Sequence, residues 1–192
     1  MIQTENSQIP VVVAGALGRM GSEVIKTIHN SNDCKLFGAV DMAPDKEGID
    51  IGEALGIEFM DIPITSDLEA CLCAVSQSPL VRMSNGGAVL IDFTHPSVVY
   101  DHTRAAIAYG VHPVIGTTGL TTKQIEDLAD FAVKASVGAA VIPNFSIGMV
   151  LLQQASAAAA SFYDYVELTE LHHNKKADAP SGTCIKTAQL IE

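Results

Sequence analysis

Positive charge is scarce in this sequence. Its 192 residues carry 11 Lys and Arg against 22 Asp and Glu, a formal net charge of -11. A field of that sign repels the phosphates of nucleic acid and the headgroups of anionic lipid, so neither is expected as a partner. It also repels small anions, so any site for one must build its own local positive potential. Cysteine is sparse as well. Cys34, Cys71, Cys73 and Cys184 form no C-x-x-C pair, because only Leu72 separates Cys71 from Cys73. That argues against a redox or zinc motif and for reduced thiols in a cytoplasmic protein. No apolar run reaches the length of a membrane span, since the richest, Gly148 to Phe162, is interrupted by Gln153 and Gln154. Met1 to Gln8 is polar and lacks an apolar signal region. The expectation is a soluble cytoplasmic chain without repeats or low-complexity linkers.

Hydrophobic residues make up 48% and charged residues 17%, which is globular rather than disordered. Apolar runs at Ile9 to Val13, Lys35 to Val40, Ala88 to Ile91, His112 to Ile115 and Gly138 to Ile142 predict buried strands. Helical spacing lies between them. Gly21 to Asn30 carries Val24, Ile25 and Ile28, and Pro96 to Tyr109 predicts a helix ending at Gly110. Ser66 with Glu69, and Thr121 with Gln124, fit capping boxes opening helices to about Val75 and through Val133. Strands alternating with helices predict an α/β fold with a doubly wound, parallel, Rossmann-type sheet. The rhythm changes at Pro143. An Ala-rich helix follows from about Ile147 to Ser161, then a strand from Tyr165 to Leu171. The expected division is a dinucleotide-binding domain over 1–142 and the beginning of an α+β substrate domain over 143–192.

In such sheets, ligands bind at the carboxyl ends of the strands. Gly15-Ala16-Leu17-Gly18-Arg19-Met20-Gly21 stands at the first strand end. Glycines there allow a tight turn and close approach to a pyrophosphate, which the helix N-terminus attracts. A plain strand–helix turn would show the same glycines. Asp41 adds weight: it ends the second strand, 20 residues beyond Gly21, where an acidic side chain can bond ribose hydroxyls. Asp41 would repel a 2′-phosphate and Met42 offers it no charge, whereas Arg19 could reach one, so acceptance of both NADH and NADPH is expected. Asp92-Phe93-Thr94 and Gly116-Thr117-Thr118-Gly119 are strand-end turns where a nicotinamide ribose would run. Each alone also reads as an ordinary turn.

The most specific segment runs from Glu170 to Thr183. Two histidines and two lysines fall within five residues, His172 to Lys176, in a chain poor in positive charge. This is local positive potential for an anionic substrate. Ser181-Gly182-Thr183 follows at the start of an apolar helix near Cys184, where free N–H groups and hydroxyls can cradle a carboxylate. Histidine can donate a proton near neutral pH. A metal site is disfavoured: neighbours His172 and His173 on a strand would point to opposite faces, and the lysines would repel a cation. A solvated basic loop with an N-cap serine is the plain alternative.

Taken in order, Gly15 to Gly21, Asp92-Phe93-Thr94, Gly116 to Gly119, Asn144-Phe145-Ser146 and the His172 to Thr183 segment resemble the dihydrodipicolinate (4-hydroxy-tetrahydrodipicolinate) reductase family of lysine and diaminopimelate biosynthesis. The resemblance covers essentially the whole chain. It implies a two-domain cytoplasmic reductase, homotetrameric when complete, that uses NADH or NADPH on a cyclic imine dicarboxylate. By similarity, His172 and Lys176 match the catalytic pair, and His173, Ser181, Gly182, Thr183 and Thr118 match substrate-binding positions. Gly15, Ala16, Leu17, Gly18, Arg19, Met20, Asp41, Phe93, Thr94, Gly116, Thr117, Thr118, Pro143, Asn144 and Phe145 match cofactor contacts. The family often carries arginine where Met42 stands. It also continues beyond the point matching Glu192, so the substrate domain is expected to be incomplete here. Two other readings remain open: another two-domain NAD(P)-dependent oxidoreductase of amino-acid metabolism, or a non-catalytic nucleotide-binding fragment. Against thioester chemistry, Cys184 falls in the opening turn of a helix rather than at a strand end.

Overall fold

Ile9–Ala14 forms strand β1, whose residues after Ile9 are all buried. In the computed structural model, which describes residues 8–83, 86–142, 144–172, 174 and 179–192, this strand lies at the centre of a six-stranded sheet. Pro143, His173 and Lys176, three of the expected site residues, lie outside the described residues. The other strands are β2 (Cys34–Val40), β3 (Ile64–Thr65), β4 (Val89–Asp92), β5 (His112–Ile115) and β6 (Ala140–Val141). All neighbours pair in parallel, in the order β3-β2-β1-β4-β5-β6. This is the doubly wound α/β fold that the alternating pattern predicts.

Parallel strands are roofed by crossover helices on both faces. On one face, Val11 and Val13 pack with Ile25 and Ile28 of α1 (Arg19–His29) and Ile51 of α2 (Ile51–Leu55). On the other, Val12 and Ala14 pack with Leu68, Leu72 and Val75 of α3 (Leu68–Ser76) and with Ala106 of α5 (Val99–Ala108). Helix α4 (Pro79–Met83) precedes β4, and α6 (Thr122–Ala135) joins Leu128 and Ala132 to Ile107 of α5. The period of two along β1 meets the i, i+4, i+7 stripe of each helix, so one sequence pattern fills two cores.

Several local expectations change. Helix α3 is capped by Asp67, whose carboxylate accepts the Ala70 N–H at 2.9 Å, not by Ser66. Ser66 instead gives its N–H to Glu47. Helix α5 begins at Val99 rather than Pro96, because the His95 carbonyl and ring close a turn on Ser97, Val98 and Val99. The Thr121–Gln124 capping box is present in full. Helix α2 and strand β3 are too short to give a periodic signal. The described chain divides into compact units Met1–Val141 and Ile142–Glu192. The second holds α7 (Ile147–Ala160), capped by Ser146, and α8 (Gly182–Ile191), capped by Ser181. The expected strand from Tyr165 to Leu171 is not formed. It has no ladder partner among the described residues, and a strand exists only through its neighbour's hydrogen bonds. No described helix is long and apolar enough to cross a membrane.

Asp50 fixes the connection between β2 and β3. Its carboxylate accepts N–H groups from Gly52, Glu53, Met60 and Ile62 at 2.8–3.2 Å. Burial would push this carboxyl up, but the four donors outweigh it and hold the group below the ordinary carboxylate range. Asp50→Ala is expected to cost about 1–2 kcal/mol at pH 7, the range for a lost helix cap, measured by urea unfolding. A depressed folded-state pKa gives stability that is full above the unfolded value of about 4 and fades as pH falls through the folded value. The gap between wild type and Asp50→Ala should therefore narrow on acidification below about pH 4.

Candidate functional site

The carboxyl ends of β1, β2, β4 and β5 converge on one edge of the sheet. At the end of β1, the Gly15 and Ala16 N–H groups both donate to the Val40 carbonyl, at 2.9 and 3.1 Å. Gly15 has φ +78°, and a Cβ there would strike the Phe93 carbonyl. A Cβ on Gly21 would strike the Gly15 carbonyl. The first position needs glycine for its left-handed backbone, and the last needs it for contact between helix and turn. Helix α1 starts at N-cap Gly18 with no side-chain cap and no acidic residue in its first turn. Its opening N–H groups and positive dipole end are therefore not capped from within the helix. Asp41, at the end of β2, accepts the Leu17 N–H at 2.9 Å and so braces the turn from the side.

Two cavities flank this edge. One, of about 400 Å³, is lined by Gly15, Gly18, Asp41, Met42, Phe93 and His102 among others. The second, about 290 Å³, is lined by Arg19, Met20, Phe93, Thr94, Pro96, Gly116, Thr117 and Thr118. The Phe93 N–H donates to the Ala14 carbonyl, and its ring packs so closely on Gly116 that a Cβ there would overlap it. The glycine turn, the β4 turn and the β5 turn are thus one packed assembly. Behind it lies Asp92, fully buried. Its Oδ1 accepts the Thr94 N–H at 3.0 Å, the Thr94 hydroxyl at 2.7 Å and the Thr117 hydroxyl at 2.6 Å. Its Oδ2 accepts from His102 Nδ1 at 2.9 Å. Burial pushes this carboxyl up, yet His102, Thr117 and Thr94 together hold it below the ordinary range. His102 lacks any signal in the sequence pattern except as a polar interruption of α5.

In the second unit the described part of the basic segment is organised by Glu170. Its carboxylate accepts the Ser181 N–H at 2.9 and 3.1 Å and lies 3.2 Å from His172 Nε2. The Ser181 hydrogen bonds, and then His172, hold Glu170 below the ordinary carboxylate range against partial burial. An ionised carboxylate only accepts, so Nε2 of His172 carries the hydrogen. The Ser181 hydroxyl caps α8 through the Cys184 N–H. The Thr183 hydroxyl accepts from Asn144 Nδ2 at 3.4 Å, and Asn144 Oδ1 accepts the Ser146 N–H. Buried Gln153 donates to the Thr187 hydroxyl at 3.0 Å, tying α7 to α8. Phe145 is half exposed. Glu170 and Gln153 carry roles that sequence reading did not give them. The first was legible as an acidic residue two positions from His172; the second reads only as a polar break in an apolar run. Among the described residues, no group of His, Cys, Asp and Glu is arranged to hold a metal ion.

Comparison with known proteins gives a consistent picture. A family model described as dihydrodipicolinate reductase, N-terminus, matches residues 9–145, and one described as dihydrodipicolinate reductase, C-terminus, matches residues 148–192. The 4-hydroxy-tetrahydrodipicolinate reductase of Prochlorococcus marinus strain MIT 9313 is 71% identical over 184 residues, which is 96% of this chain and 65% of the relative. That of Synechococcus sp. strain CC9605 is 71% identical over 184 residues, 96% of this chain and 66% of the relative. The chain thus spans just under two thirds of the length of these curated relatives. A solved dipicolinate-bound dihydrodipicolinate reductase from Paenisporosarcina sp. TG-14 superposes with a TM-score of 0.72 at 33% identity, covering 96% of this chain and 65% of that one.

The packing of the glycine turn makes a prediction that needs no ligand. In an ordinary helix interior, Gly→Ala gains up to about 1 kcal/mol. Gly21→Ala should instead destabilise by about 1–3 kcal/mol, because the new methyl meets backbone rather than a movable side chain. Urea unfolding of the two proteins measures this, and a stabilised variant would show that α1 can move away from the turn freely.

Proposed function

This chain belongs to the dihydrodipicolinate reductase family, and on that premise we propose that in the whole protein it serves the NADH- or NADPH-dependent reduction of 4-hydroxy-tetrahydrodipicolinate to tetrahydrodipicolinate. The observation that carries the nucleotide part is the uncapped N-terminus of α1 on a Gly15–Gly21 turn braced by Asp41. Those residues fit a dinucleotide. The opening N–H groups of α1 receive the pyrophosphate, Asp41 the adenosine ribose, and the Phe93–Thr94 and Gly116–Thr118 turns the nicotinamide end. Pro143, Asn144 and Phe145 complete the cofactor contacts by family resemblance.

The bound nicotinamide supplies the hydride. Loss of water from the 4-hydroxy ring leaves a conjugated imine, and adding hydride to it builds electron density that must be protonated and that a nearby cation stabilises. His172, oriented by Glu170, and Lys176 are assigned that work, with His173, Ser181, Gly182, Thr183 and Thr118 holding the substrate carboxylates. The Gly182 and Thr183 N–H groups at the start of α8 suit a carboxylate, while the Ser181 N–H is already given to Glu170. Dipicolinate in the Paenisporosarcina relative supports a dicarboxylate ligand. We place the protein in the cytoplasm, as a homotetramer.

The test is loss of reduced-nicotinamide absorbance when the product of the preceding synthase is added to the whole-length protein; no loss with either cofactor rejects the activity. Because Asp41 suits a ribose diol and Met42 offers no charge, NADH should be used at least comparably to NADPH. Titration decides this, and a preference for NADPH beyond about tenfold, roughly 1.4 kcal/mol, would show that Arg19 outweighs Asp41. In the same assay His172→Ala should lower kcat by about 10²- to 10⁴-fold. Thr183→Val should mainly raise KM, since it removes a contact made before and during reaction. Full turnover in His172→Ala would remove it from the catalytic pair.

A further inference from the structure

The two cavities at the sheet edge share Phe93, but Asp92 joins them from behind. His102, which donates to Asp92 Oδ2, lines the cavity that also holds Asp41 and Met42. Thr117, which donates to Oδ1, lines the cavity that also holds Arg19 and Gly116. Thr94, which gives Oδ1 two hydrogen bonds, lies on both. The Asp92 main chain repeats the grip, its carbonyl accepting the Gly116 and Thr117 N–H groups at 2.9 and 3.2 Å. We propose that Asp92 is a positioning residue for the nucleotide, through which His102 on one cavity and Thr117 on the other fix the two turns that receive it. This rests on the nucleotide-binding reading above.

The chemistry demands such a node. A carboxylate with no exposed surface persists only where donors replace its hydration. Four donors do so here, and they come from three places: Thr94 in the β4 turn, Thr117 in the β5 turn and His102 on α5. Since an ionised carboxylate only accepts, Nδ1 of His102 carries the hydrogen, which fixes the ring's tautomer and orientation in the cavity wall. Removing the His102 donor leaves a buried carboxylate one partner short. The turns held by Oδ1 must then readjust, although His102 itself bonds only the other carboxylate oxygen, Oδ2.

The experiment is NADH titration by cofactor fluorescence on wild type, His102→Leu, His102→Asn, Asp92→Asn and the Asp92→Asn/His102→Leu double variant. Thermal melts by circular dichroism run alongside. Asn can place its amide nitrogen where Nδ1 stands, so His102→Asn should bind within about threefold of wild type. His102→Leu should weaken binding about tenfold, the scale of one hydrogen bond to a charged group. If His102 acts through Asp92, the double variant should bind no more weakly than Asp92→Asn alone, rather than showing the product of the two losses. Unchanged affinity in His102→Leu beside a lowered melt makes the cluster merely structural and overturns the proposal. Equal losses in His102→Leu and His102→Asn, or losses that multiply in the double variant, also overturn it, because the ring would then act directly on the nucleotide. If Asp92→Asn does not fold, the two His102 variants decide the matter by themselves. Failure of wild type to bind NADH would bring down the nucleotide-binding reading and this proposal with it.

Discussion

β1 is buried from Pro10 to Ala14 and hydrogen-bonded on both edges, to β2 and to β4. A strand with two dry faces needs helices above and below, and helices that connect parallel strands must cross over the sheet. The order β3-β2-β1-β4-β5-β6 satisfies that constraint. So does the collection of every strand-to-helix turn at one edge. The order in which strands are added reverses between β1 and β4, and the turns on either side of that switch, Gly15 to Gly21 and Asp92 to Val98, pack against each other. The closeness is extreme: glycine at 15 and 116 is required because Phe93 occupies the space a side chain would need. The geometry of these turns is therefore a consequence of how the centre of the sheet is covered.

Asp92 and Asp50 are both carboxylates whose burial opposes ionisation and whose donors more than reverse it. Each fixes segments far apart in the chain: Asp92 joins β4 to α5 and the β5 turn, and Asp50 joins α2 to the run into β3. The second unit uses the same device at lower burial. Glu170 accepts the Ser181 N–H and faces His172.

Much was legible in the sequence because two periods, two and 3.6, survive in a single chain. Ile9 to Val13, Lys35 to Val40 and His112 to Ile115 read as strands and are strands. Thr121 and Gln124 read as a capping box and form one. The turn from Gly15 to Gly21 was legible because glycine there is demanded by backbone sterics, which are local. What misled was equally local. Ser66 fits a capping box by its spacing to Glu69, but Asp67 caps the helix by accepting the Ala70 N–H. Tyr165 to Leu171 has a strand's composition, but pairing is supplied by a neighbour.

The sequence by itself determined the fold class and the family. Each is carried by patterns whose physics acts within a few residues. Only the tertiary structure decided the long-range polar pairs: Leu17 with Asp41, His102 and Thr117 with Asp92, Gln153 with Thr187, Glu170 with Ser181. The physical reason is that a buried donor or acceptor must find a partner wherever the folded chain brings one. Such partners are chosen by proximity in space, and spacing along the chain carries no record of them.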